Sequence, residues 1–155
     1  MAAQRNKKGT PKTRKEIVVV ESGFLLGLRK SDPRHTKIIH VLEKHRKDET
    51  LRVSVLCSSV IEVRSVLYSR GFSPGLVEET FSTMALLLAS YGVVNFIPAE
   101  LDDVILAERM RIDTPELGFY DSLHASIAKR LPATLLSSER IYQKLGIDFS
   151  DLDSF

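Results

Sequence analysis

Residues Ile17-Val18-Val19-Val20 form an unbroken run of β-branched side chains that ends on Glu21-Ser22. Branching at Cβ restricts χ1 and suits a pleated backbone, so the run predicts a strand. Its lack of polar alternation means that both faces are covered, as in the centre of a parallel sheet layered between helices. Glu21 then places a carboxylate at the strand's C-terminal end. In open α/β sheets that end borders the crevice where ligands bind. Taken alone, Glu21 is better read as the point where the chain leaves the core for water. Its meaning depends on which other acids reach the same edge.

A chain of 155 residues fits one domain with its own core. Cys57 is the sole cysteine, which excludes a disulfide framework and a thiolate metal site and points to a reducing, cytoplasmic compartment. No apolar run approaches the roughly 20 residues of a membrane helix, and the N-terminus lacks the apolar segment of a signal peptide. No membrane association is expected. The net charge of +2 is unevenly spread: residues 1–15 hold Arg5, Lys7, Lys8, Lys12, Arg14 and Lys15 without an acid, which leaves residues 16–155 at −4. The expected organisation is a basic, flexible arm over 1–15 and a mildly acidic domain over 16–155. Such an arm either contacts phosphates by counterion release or serves as a solvated tail.

Along the chain, Gly23–Leu28 predicts a short helix closed by Lys30-Ser31-Asp32-Pro33, and a second helix runs from His35 to about Lys47 with Ile38, Ile39 and Leu42 inward. His35, His40 and His45 recur every five residues, which rotates them to different helix faces, so they read as surface residues and not a metal set. Leu51–Cys57 predicts a second strand and Ser58-Ser59 a helix start reaching Arg70. Ser73-Pro74 is a capped start for a helix whose stripe of Val77, Phe81, Met84, Leu88 and Tyr91 faces the core or another subunit. Val93–Ile97 predicts a third strand, Ala99–Ile112 and Phe119–Leu131 two helices, Ala133–Leu136 a fourth strand, Glu139–Leu145 a short helix and Ile147–Phe149 a fifth strand. The order implies an α/β fold, a three-layer α/β/α sandwich with right-handed crossovers around a parallel sheet of about five strands.

Such crossovers bring the C-terminal ends of all strands to one rim. Glu21 after strand one, Glu62 in the helix after strand two, Glu139 after strand four and Asp121 opening the helix before strand four are all expected there. Four carboxylates in one place repel unless cations lie among them. A set of oxygens without His or Cys favours Mg²⁺ or Mn²⁺. Each acid also has a local explanation. Ser59-Val60-Ile61-Glu62 has the spacing of a capping box, and Asp121 and Glu139 suit helix starts electrostatically.

These residues fall into an ordered pattern: Glu21-Ser22 after strand one, Ser58-Ser59-Val60-Ile61-Glu62, then Phe119-Tyr120-Asp121-Ser122-Leu123-His124-Ala125, and Leu135-Leu136-Ser137-Ser138-Glu139-Arg140 followed by Lys144-Leu145-Gly146. From about Ile17 to Asp151 the chain resembles the PIN domain family, in particular its VapC-like toxin ribonucleases. The resemblance implies a PIN-like domain over 16–155 with strand order 3-2-1-4-5. It also implies a Mg²⁺-dependent (or Mn²⁺-dependent) endoribonuclease acting on RNA, a homodimer, and an antitoxin protein as partner of a toxin. The family pattern carries Asp at the first and fourth positions, where this chain has Glu21 and Glu139.

On this reading a metal-activated water hydrolyses an RNA phosphodiester bond. Glu21 and Asp121 bind the metal directly, Glu62 and Glu139 hold metal-bound water or a second ion, Ser22 and Ser137 orient carboxylates or substrate, and Lys30 or Arg34 meets phosphate. The rival is a non-catalytic PIN-like module that binds RNA or protein in RNA processing or ribosome assembly; the lengthened acids and the basic arm favour it. A phospho-acceptor receiver domain would need an Asp ending the middle strand and a Lys after a late strand, and strand three ending on Ile97-Pro98-Ala99 argues against it.

Overall fold

The structure is a computed structural model and describes residues 16–48 and 50–155; the basic arm lies outside the described residues. The first strand, β1 (Glu16–Val20), leads through Glu21 into α1 (Ser22–Leu26) and then α2 (His35–Lys47). Next come β2 (Leu51–Leu56), α3 (Cys57–Ser69), α4 (Pro74–Ser90) and β3 (Phe96–Ile97). The remainder is α5 (Leu101–Asp113), α6 (Phe119–Arg130), β4 (Thr134–Ser137), a 3₁₀ turn (Arg140–Leu145), β5 (Phe149–Asp151) and a last 3₁₀ turn (Leu152–Ser154).

All pairings are parallel and the order is β3-β2-β1-β4-β5, so β1 is the central strand, as its composition requires. Val18, Val19 and Val20 are 0% exposed, and burial of each contributes about 1.5–3 kcal/mol. Their side chains alternate across the sheet. Val18 and Val20 pack with Phe24, Leu25, Ile38 and Leu42, whereas Val19 packs with Leu56, Ile127, Leu135 and Tyr142 on the other face. At Gly27 the tip of the Ile38 side chain occupies the space that a β-carbon would take. No described helix is long and apolar enough to cross a membrane.

Three local expectations change. The third strand shrinks to Phe96–Ile97, because the chain leaves the left-handed turn at Gly92 (φ 79°) with Val93 plugged into the core and Val94 in solvent. It reaches the sheet only at Asn95, whose carbonyl accepts from Val55 N–H at 3.0 Å. The fifth strand moves from 147–149 to Phe149–Asp151 beyond a second left-handed glycine, Gly146 (φ 62°). Finally, His45 is half-buried and not simply a surface residue. Val53 N–H donates to its Nδ1 at 3.2 Å, which leaves Nε2–H to donate to the Gly92 carbonyl at 3.2 Å. The ring thus pins α2 to β2 and to the end of α4.

Candidate functional site

The C-terminal ends of β1, β2 and β4 open onto one rim, with α6 beginning beside it. Glu21 leaves β1 as the N-cap of α1. Gly23 N–H donates to its Oε2 at 2.6 Å and the Ser22 hydroxyl donates to the same oxygen at 3.0 Å. Glu21 is only 4% exposed. Burial raises its carboxyl above the ordinary 4.5, the Gly23, Ser22 and Ser137 donors offset part of that rise, and the charge of Glu62 adds to it.

Glu62 does not form the capping box its spacing predicts. The box would make Ser59 the N-cap, but helix α3 begins at Cys57, and its N-cap is Leu56, three residues earlier, which offers no side-chain bond. Ser59 is therefore inside the helix and turns under the rim, where its hydroxyl lies 3.5 Å from the Val20 carbonyl and 3.4 Å from His124 Nε2. Glu62 Oε2 is shut off from solvent without a hydrogen-bond partner, 3.9 Å from His124 Nε2. Burial raises the Glu62 carboxyl, the Ser22 hydroxyl lowers it, and the charges of Asp121 and Glu139 raise it further.

Asp121, in the first turn of α6, accepts from the Tyr142 hydroxyl at 3.2 Å. Tyr142 is 0% exposed, and its phenol is held far above its ordinary 10 by burial and then by the charges of Glu21 and Asp121. Glu139 is exposed, and its N–H donates to Ser137 Oγ at 3.0 Å. Arg34 is forked onto Asp32, with Nε to Oδ1 at 2.9 Å and Nη2 to Oδ2 at 2.8 Å, and this bond pulls the Asp32 carboxyl down to about 2. The guanidinium also lies in the field of Glu21 and Glu139. Lys30 is exposed and forms no ion pair among the described residues.

The four acids thus share one field, as do Ser22, Ser137 and Arg34; among the described residues no ion pair or hydrogen bond joins Lys30 to them. Among the described residues, however, no three His, Cys, Asp or Glu groups close into a ready metal-ligand set. Like charges separate the carboxylates: Glu21 turns to a backbone N–H, Asp121 to a phenol and Glu139 to water. The donor chemistry still fits a hard divalent cation, since the groups are oxygens and Glu62 Oε2 has a buried, unmet acceptor. His124, Ser59 and Tyr142 carry no role in the sequence reading. His124 is 0% exposed, and burial lowers it to about 4, so it is neutral. Its signals in the sequence are its place in the Asp121-Ser122-Leu123-His124 stretch of the ordered pattern and its spacing, which puts it on the same helix face as Asp121.

No sequence-family model matches the chain, and no curated protein matches it by sequence. Solved structures do. A chain of the Rickettsia felis VapBC2 complex, bound to a DNA fragment from its promoter, has a TM-score of 0.66 at 15% identity, covering 87% of this chain and 98% of that one. VapC20 of Mycobacterium tuberculosis, a sarcin-ricin loop cleaving toxin, has 0.63 at 15%, covering 84% and 95%. DNA-bound VapBC from Salmonella typhimurium has 0.64 at 14%, covering 88% and 98%. The shared property is the fold: a VapC-like PIN architecture with its sheet order intact.

Proposed function

We propose that the rim is the active site of a metal-dependent endoribonuclease, and that the chain is the toxin of a toxin–antitoxin pair. The observation that carries this reading is Glu62 Oε2, a buried carboxylate oxygen without a partner among three further acids at the one sheet edge that binds ligands. The fold shared with VapC20, a sarcin-ricin loop cleaving toxin, supports it.

In this proposal Glu21 and Asp121 hold Mg²⁺ or Mn²⁺, with Glu62 and Glu139 beside them. The bound ion supplies Lewis acidity and neutralises phosphate charge. Glu62, whose carboxyl is raised, would take the proton of the water that attacks phosphorus, while the bond from phosphorus to the leaving ribose oxygen breaks and that oxygen takes a proton from solvent. Arg34, fixed by Asp32, binds a phosphate oxygen. Ser22 donates to Glu21 and fixes its rotamer, Ser137 does the same from β4, and Lys30 extends the cationic margin toward the RNA strand. An antitoxin protein that places a cation among these acids would silence the site; copurification from the host tests for it. A homodimer and a cytoplasmic location complete the proposal, and mass measurement of the isolated protein tests the first.

Cleavage of single-stranded RNA with Mg²⁺ and with Mn²⁺ tests the chemistry. The parent cleaves and Asp121→Asn loses about 100-fold. Equal rates in the two proteins would sink the reading. The second reading, a PIN-like module that binds RNA or protein without cutting, is favoured by one observation: Glu21 Oε2 is already engaged by Gly23 N–H and Ser22. It predicts RNA retention with neither ion supporting cleavage.

A further inference from the structure

Gly23 is a helical residue, and it is not one of the glycines with positive φ, so its backbone would accept any L residue. Glycine inside a helix is also unfavourable relative to alanine. The reason for glycine lies in Glu21. A β-carbon at position 23 would stand 2.7 Å from Glu21 Oε1 and 3.4 Å from the carboxyl carbon, inside nonbonded contact for the oxygen. Glutamate is one methylene longer than aspartate, and that length folds the carboxylate back over residue 23, where Gly23 N–H meets Oε2 at 2.6 Å. Arg34 Nη1 lies 3.1 Å from the same point, so the guanidinium and the carboxylate approach each other across a bare α-carbon. Gly118 repeats the device for Asp121, whose Oδ2 would lie 2.8 Å from a β-carbon there.

We propose that Gly23 is a positioning residue for Glu21, and that glutamate at 21 and glycine at 23 are a matched pair. Its consequence for cation binding rests on the reading of the rim given above. The pairing itself does not, because it rests on the distances around Gly23 alone.

The test is a cycle of four proteins: the parent, Gly23→Ala, Glu21→Asp and the double variant. Each is melted without metal, and Mn²⁺ binding is read by electron paramagnetic resonance. In the parent background Gly23→Ala displaces the carboxylate; it lowers the melting temperature and weakens Mn²⁺ about tenfold or more. In the Glu21→Asp background the shorter acid no longer covers residue 23. There Gly23→Ala raises the melting temperature by about 2 °C, since alanine is the better helix former, and leaves Mn²⁺ affinity at the Glu21→Asp level. A change of sign between the two backgrounds establishes the pair, and the same effect in both overturns it. If the sign changes while no variant, the parent included, binds Mn²⁺ or cuts RNA, the pair stands and the nuclease reading fails.

Discussion

Two carboxylates in this molecule, one buried whole and one with a single buried oxygen, are treated in opposite ways. Asp103, in the first turn of α5, is 1% exposed and fully engaged: Arg130 Nε donates at 2.9 and 3.1 Å, Arg130 Nη2 at 2.9 Å and Glu100 N–H at 2.8 Å. Arg130 also donates to the Pro98 carbonyl at 3.0 Å, so the cluster locks the end of α6 to the start of α5. Glu62 on α3 has an equally dry oxygen with no donor at all. An unpartnered buried acceptor is unfavourable by about 1–3 kcal/mol, and a charged one by more. Asp103 is an acid used to hold helices together. Glu62 is an acid with one oxygen left without a donor at the C-terminal edge of the sheet.

The largest effect that can break this comparison is on stability at Asp103. Asp103→Ala removes the buried acceptor of Arg130 and of Glu100 N–H while Arg130 keeps Glu100 and the Pro98 carbonyl, and we expect a loss of about 2 kcal/mol, a drop of roughly 4–8 °C in melting temperature, with RNA cleavage at 25 °C intact. A melting point unchanged to within a degree would remove the structural half of the contrast. Asp121→Asn should do the reverse: cleavage falls about 100-fold while the melting temperature moves by no more than about 4 °C.

A smaller effect concerns pH. Burial, followed by the charges of Asp121 and Glu139, holds the Glu62 carboxyl above 4.5 in the folded state, so the fold binds that proton more tightly than the unfolded chain does. Its contribution to stability is therefore present at low pH and lost as pH rises through the raised value. Metal-free Glu62→Gln should melt roughly 2–4 °C above the parent at pH 8, with the gap closing as pH falls toward 4.5. Melting curves across that range that stay parallel would show Glu62 to be satisfied after all. The smallest effect belongs to Tyr142→Phe, which removes the hydroxyl donated to Asp121 and keeps the buried ring. It should change stability by about 1 kcal/mol or less and slow cleavage only several-fold, as judged by paired melting and cleavage assays.

What sequence discloses about these regions follows from range. The run Ile17–Val20 dictates a doubly covered central strand by itself, and Glu21 inherits its place from that strand. Helix α2 is legible to the residue because its periodicity and its flanking signals agree. The Ser59–Glu62 spacing misleads because a capping box depends on a helix boundary, and that boundary falls three residues early, at Leu56. Val93-Val94 misleads likewise, since branched residues suit a core plug as well as a strand. The Asp103–Arg130 lock joins residues 27 apart and has no local signature. His124 and Tyr142 acquire their surroundings only when α6 and the 3₁₀ turn meet beneath the rim. The strand order came with the resemblance and not from periodicity, and the structure bears it out.

The sheet's outermost strands span two and three residues, whereas its longest, Leu51–Leu56 with six, is interior. Short margins offer a neighbouring molecule few free amides and carbonyls to extend. A concentrated solution of this protein should accordingly resist growth into ordered fibrils by strand addition, since the segments richest in branched residues are sealed on either side by their own partners.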